Sequence, residues 1–264
     1  MFRLTPVVKI LLIINVALLL LDMFLEGVVN DLFALYTFRT ENFAFYQFFS
    51  YMFLHANFWH LFSNMFALVV FGPLLEQKWG ANKFLAFYIA VGVGAGVLYG
   101  GWNYYERQNL ESSVEEYVSD PTPPNFYAFL ADYYPQYTRD RTVSRLADEY
   151  DRQPDNAMLE QQSKLQVERI YKSLGRDFGM VGASGAVFGI LAAFGLLFPN
   201  LTLVLLFPPI PVKAKYLVIG YMAFEIYAGI NPTPGDNVAH LAHIAGALIA
   251  FVVVKLIWNE KRVY

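Results

Sequence analysis

His55-Ala-Asn-Phe-Trp-His60-Leu-Phe-Ser-Asn64-Met-Phe-Ala-Leu-Val-Val-Phe-Gly72 sets two histidines and an asparagine at the head of a long apolar run. A helix needs ~20 mainly apolar residues to cross a bilayer core, and the stretch from about 57 to 75 supplies them. Ionisable and polar groups in such a span are costly and point to function. Working outward, five more stretches qualify or nearly qualify, at about 10–29, 84–102, 182–206, 214–230 and 238–258. The expected fold class is therefore an all-α membrane protein with six spanning helices. Composition agrees: 56% of the 264 residues are hydrophobic and 17% aromatic, against ~45–50% apolar content in soluble domains.

The bulk numbers exclude several function classes. Without cysteine there are no disulfides or thiolate-bound metals, and a net charge of −3 gives no reason to expect a nucleic-acid partner. Arg3 and Lys9 ahead of the apolar run from Ile10 resemble a signal sequence, but Asp22-Met-Phe-Leu-Glu26 follows with no small-residue cleavage site, so the run reads as a retained first span. The polar stretch 103–177 cannot lie in lipid and separates a membrane part at 1–102 from another at 178–264. Of the ten Lys and Arg residues outside it, nine face the cytoplasm if the N-terminus does, Arg39 being the exception. Both termini are then cytoplasmic and the polar stretch lies outside, as an extracytoplasmic insertion between helices 3 and 4. Within it, Pro123-Pro124-Asn125 ahead of Phe126, Phe129 and Leu130 predicts one helix, and Val167, Ile170, Tyr171 and Leu174 before Gly175 predict another. With so few apolar residues the insertion is expected to lean on the membrane part or the lipid surface.

All four histidines fall at two helix heads, His55 and His60 in the second span, His240 and His243 in the sixth. The fourth begins at Gly182-Ala-Ser184-Gly185. In the orientation above all three helices start from the outer face. At ~1.5 Å rise per residue, His243 lies roughly 7 Å below Val238 and Asn64 roughly 13 Å below His55. A hydroxyl, imidazoles and an amide at one depth are what acyl transfer requires. Ser184 needs a base to take its proton, here His243. The oxyanion that forms on the attacked carbonyl needs preorganised donors, here His60, Asn64 and the Ser184 amide. Gly185 with Gly189, and Gly246 with Ala250, are small-residue pairs that let two helices approach closely.

The run His55 to Asn64, then Gly72 and Glu76, Gly182-Ala-Ser184-Gly185, and Ala242-His243-Ile-Ala-Gly246 resemble the rhomboid intramembrane serine proteases. The resemblance implies the six-helix rhomboid bundle, a Ser184–His243 dyad with no acidic third member, and an oxyanion site including His60 and Asn64. Gly182, Gly185, Phe188 and Gly246 would support the site. Phe188 stands where many relatives have Tyr, keeping a ring to pack on His243 but losing the hydroxyl. Phe38-Arg39 is a faint echo of the family's Trp-Arg signature, and the resemblance says nothing of the insertion.

The implied partners are membrane-protein substrates within the lipid bilayer, carrying helix-weakening residues. Water is expected to enter past the fifth helix and an irregular cap at 229–237. A metal is not expected: His55 and His60 are five apart, a poor fit to one helix face, and there is no His-Glu-x-x-His motif. No cofactor is implied. His55 and His240 read as structural, and Glu76 and Glu225 as structural hydrogen bonders with no basic partner at their depth. Asp236 reads as a loop or capping residue, and Gly92, Gly96 and Gly100 as a packing stripe. Two rival functions remain: a catalytically silent rhomboid-like protein that binds transmembrane helices, and a small transporter or metal carrier.

Overall fold

Pro6 opens the first helix at the position where its missing N–H costs nothing, and α1 runs Pro6–Phe24 in a computed structural model that describes residues 4–174, 179–204, 209–231 and 238–263. The amides of Val7 and Val8, which have no acceptor within the helix, each donate at 3.0 Å to the Glu76 carboxylate. Glu76 is thus a structural hydrogen bonder that puts negative charge at a positive helix end. The apolar pattern suggested a first span at 10–29. The helix lies earlier because Glu26 and Gly27 take positive φ (52° and 95°), breaking it before α2, Val28–Phe33. Asp22 then ties the two together, accepting from Asn30 N and Nδ2 at 2.8 Å each.

A short α3, Gln47–Ser50, and a 3-10 turn, Tyr51–Phe53, lead to α4, Phe58–Trp79. Asn57 caps α4, its side-chain oxygen accepting from His60 N at 2.9 Å. Next comes α5, Ala81–Ser119. Its glycine stripe is indeed a packing surface: the α-carbons of Gly92, Gly96 and Gly100 face Met52, Tyr51 and Phe48, and Tyr51 OH donates to Gly92 O at 2.7 Å.

The chain divides into two units, Met1–Gly101 with Gly179–Tyr264, and Trp102–Phe178. The second unit holds α6, Pro123–Tyr133, α7, Arg141–Arg152, and α8, Ala157–Leu174. Both expected helices are present; Gly175, the expected stop of the second, lies outside the described residues. The unit has a core of its own around Tyr117, Phe126, Leu130, Ala147, Tyr150 and Val167. The expectation of too few apolar residues understated it, because large rings supply much of the buried area while their hydroxyls find partners. Tyr117 bonds to Ser163 and Tyr150 to Pro121 O.

In the first unit α9, Ser184–Leu197, sits at the centre, packed by α4, α10 and α11. The fourth span, expected to reach 206, ends at Leu197 because Pro199 forces the preceding backbone out of the helix. The chain turns instead into a hairpin, β1 (Thr202–Val204) antiparallel to β2 (Pro211–Lys213), so the fold is mostly rather than wholly helical. α10, Ala214–Ile230, and α11, His240–Phe251, follow, α11 continuing as a π-helical turn, Val252–Ile257. Asp236 and most of the 229–237 cap lie outside the described residues.

Among the described residues, four helices are long and apolar enough to cross a membrane: Pro6–Phe24, Phe58–Trp79, Ala81–Ser119 and His240–Ile257. The protein is a multi-pass membrane protein. One end of the first unit gathers Lys78 and Lys83 on Glu260, at 3.4 and 2.7 Å, and Val263 N on Leu197 O at 2.7 Å. Those contacts bring the C-terminal ends of α4, α9 and α11 together. Their N-terminal ends therefore meet at the opposite end.

Candidate active site

The approach to Ser184 is pinned from both sides. Leu35 and Met180 exchange backbone hydrogen bonds at 2.9 and 2.8 Å, and Gly182 N donates to Tyr51 O at 3.0 Å. Gly182 takes φ +138°, and a Cβ there would lie 2.8 Å from His60 Nε2 and 3.5 Å from Ser184 Oγ. Only glycine fits this backbone and this space, and its bare α-carbon lets the His60 ring and the Ser184 hydroxyl flank one small volume. Ser184 is the first residue of α9, so its N–H has no acceptor within the helix.

Helices α9 and α11 touch backbone to backbone. A Cβ on Gly246 would fall 2.0 Å from Gly185 O, and one on Gly185 would lie 3.5 Å from Ala242 O. This is the close approach that the small-residue pairs imply. It brings His243, in the first turn of α11, onto Phe188 with ring centres 4.1 Å apart and planes 8° apart. Ser184 and Phe188 are one turn apart on α9, so hydroxyl and supporting ring share a face. The Ser184 hydroxyl forms no hydrogen bond to His243 in this structure.

Asn64 is buried and donates one amide hydrogen to His60 O at 2.9 Å, leaving its second hydrogen for another acceptor. His55 is buried, its ring 5.0 Å from that of His60, and its carbonyl accepts from Asn30 at 3.3 Å.

Glu225 corrects the sequence reading. It has basic partners at its depth: its Oε2 lies 2.6 Å from His240 Nδ1 and 2.7 Å from His243 Nδ1. All three residues are buried. The signal was in the sequence, since histidines three apart share a helix face and buried ring nitrogens need partners. The three side chains also form a donor set of the kind that holds a metal, their ligand atoms within 4.8 Å of one another. Bonds of ~2.0–2.1 Å to a shared tetrahedral ion would hold such atoms about 3.3 Å apart. In this structure the contacts, at 2.6 and 2.7 Å, are at hydrogen-bond distance.

A helix-start serine, a buried imidazole stacked on the ring one helical turn along, and a histidine and an asparagine on a third helix thus lie at one end of the unit. A family model described as the rhomboid domain matches residues 42–108 and 165–260. The chain belongs to the rhomboid family. Residues 165–260 of this rhomboid include Ser184, Glu225 and His243, and 42–108 include His60 and Asn64. It is 27% identical over 221 residues to an uncharacterised mitochondrial rhomboid protein of Schizosaccharomyces pombe, covering 81% of this chain and 51% of that one. To the rhomboid protease AarA of Providencia stuartii it is 43% identical over 60 residues, 23% of this chain and 21% of the relative. To the chloroplastic rhomboid-like protein 11 of Arabidopsis thaliana it is 38% identical over 89 residues, 33% and 30% of the two chains. The matches thus span about half the length of the first relative and less of the others.

Proposed function

We propose that this chain is an intramembrane serine endopeptidase that cleaves transmembrane segments of membrane proteins near their extracytoplasmic end, with Ser184 as nucleophile and His243 as base. The observation that carries the reading is the α9–α11 crossing at Gly185 and Gly246, which puts His243 on Phe188 one helical turn from Ser184. The protease among the relatives supports the same reaction class.

In the reaction Ser184 Oγ attacks the peptide carbonyl carbon as its proton passes to His243 Nε2, and the carbonyl π pair moves onto oxygen. His60, the second amide hydrogen of Asn64 and the Ser184 N–H donate to that oxyanion. Collapse of the intermediate breaks the C–N bond, and the Nε2 proton goes to the departing nitrogen. Water then repeats the sequence to release the acyl group. A helix in lipid keeps its carbonyls bonded internally, so the substrate must unwind locally, which favours Gly, Pro or Ser near the cut.

The accompanying topology has six spans: α1, α4, α5, α9, α10 and α11. Helix α9, with 14 residues, is only about 21 Å long. Its early end is set by Pro199. Residues 1–102 and 178–264 form the membrane domain, 103–177 is an extracytoplasmic insertion, and both termini are cytoplasmic. Purified protein in detergent should cleave a single-span substrate, and Ser184→Ala or His243→Ala should abolish cleavage. Undiminished cleavage by either variant contradicts the dyad; no cleavage by any form, together with retained binding of transmembrane helices, supports a silent member of the family.

A further inference from the structure

The Glu225 carboxylate meets the one ring nitrogen of His243 that the proposed reaction does not use. We infer that Glu225 is a positioning residue, holding His243 in the tautomer that keeps its proton on Nδ1 and its lone pair on Nε2. The inference rests on the protease reading and adds an acidic member to the Ser184–His243 pair. A neutral imidazole carries one proton, and the nitrogen without it is the only base. Glu225 Oε2, 2.7 Å from Nδ1, accepts that proton's hydrogen bond and leaves Nε2, on the far edge of the ring, for the Ser184 hydroxyl. When Nε2 takes the serine proton the imidazolium gains a counter-charge already in contact, without reorganisation in a site where water is scarce.

Three features fix the carboxylate and the ring it meets. Its oxygen is shared with His240 Nδ1 at 2.6 Å, so a second donor pins it from the same helix face. α11 packs on α9 through Gly185 and Gly246 and on α10, which carries Glu225, so His243 stands between nucleophile and acid. The face of the ring is held by Phe188 in an 8° stack, so the edge contact with Glu225 fixes the one remaining rotation. An oxygen accepting from two Nδ1–H groups sets both histidines in the same tautomer.

Two measurements on full-length protein in nanodiscs test this. Two-bond 15N–1H correlations of histidine-labelled wild type should show His243 protonated on Nδ1 and bare on Nε2, and Glu225→Gln should populate the Nε2–H form. That readout needs no turnover, so it decides the assignment even if the wild type cleaves nothing, an outcome that sinks the protease reading alone. In the cleavage assay Glu225→Gln should lower kcat by about 100-fold or more, with KM changed little, as expected for loss of a group that orients the base. A wild-type His243 carrying its proton on Nε2 overturns the inference. So does Glu225→Gln with unchanged tautomer and unchanged kcat.

Discussion

On the proposed reading His243 is a base that must be held against rotation, and the Phe188 ring that stacks on it at 4.1 Å is the group to do so. Such a pair contributes about 0.5–1.5 kcal/mol, and each 1.4 kcal/mol is tenfold in rate. Phe188→Ala should therefore slow both cleavage and fluorophosphonate labelling of Ser184 by about 2- to 10-fold, while Phe188→Tyr keeps the stack and stays near wild type. Equal rates for Phe188→Ala and wild type, measured by gel-based labelling, contradict the role. Ser184, His243, His60 and Asn64 were legible in the sequence because each is a polar group where lipid or packed helix demands apolar ones. Glu225 stands out in the same way, and the spacing of His240 and His243 signals that the two share a partner without saying which residue it is. Position along a helix follows from residue number, whereas the neighbour a side chain faces depends on how α10 and α11 are rotated against each other.

Helices of the membrane unit gain little from hydrophobic burial, since lipid is as apolar as their side chains, and depend on close packing. The α9–α11 contact concentrates that dependence at Gly246, where a Cβ would sit 2.0 Å from Gly185 O. Because the obstructing atom is backbone, Gly246→Ala must part the helices. It should destabilise by about 1–3 kcal/mol and reduce activity along with stability, read as earlier thermal unfolding in detergent; an unchanged midpoint would mean that the crossing is slack. In the second unit α7 rests on its cap: Asp140 Oδ1 accepts from Thr142 N at 3.0 Å and Val143 N at 3.2 Å. The Val143 amide, aided by the Thr142 amide and Tyr134 hydroxyl and opposed by slight burial, holds this carboxyl below the usual range. A depressed carboxyl stabilises the fold above its unfolded value, near pH 4, and the gain fades as pH falls through the lower folded value. Asp140→Ala should cost about 1 kcal/mol locally, raising amide exchange in α7 about fivefold at neutral pH, while Asp140→Asn keeps most of the cap. Similar exchange for Asp140→Ala and wild type would show that α7 does not need it. Element ends were the least legible part of the sequence. The apolar run before Val29 hid the break at Glu26 and Gly27, and the run from Ser184 concealed a stop at Pro199 and a hairpin whose backbone bonds have no hydropathic signature.

At the scale of the molecule, the membrane unit is polarised. Glu76 links the start of α1 to the end of α4, Glu260 draws in Lys78 and Lys83, and Val263 closes on the end of α9. The helix starts bearing His60, Ser184 and His243 lie at the other end. On the proposed topology Lys and Arg near helix ends favour the cytoplasm, which assigns the lysine-bearing end to that side and the end bearing Ser184 to the outer face. The chain contains no cysteine, so single cysteines report topology without background. Asp148→Cys in the insertion should react in intact cells with a membrane-impermeant maleimide, and Gln77→Cys, at the end of α4, should react only after permeabilisation. Protection of Asp148→Cys with labelling of Gln77→Cys would invert the protein in the membrane. It would then open the serine site toward the cytoplasm and move the proposed cleavage to the opposite ends of its substrates.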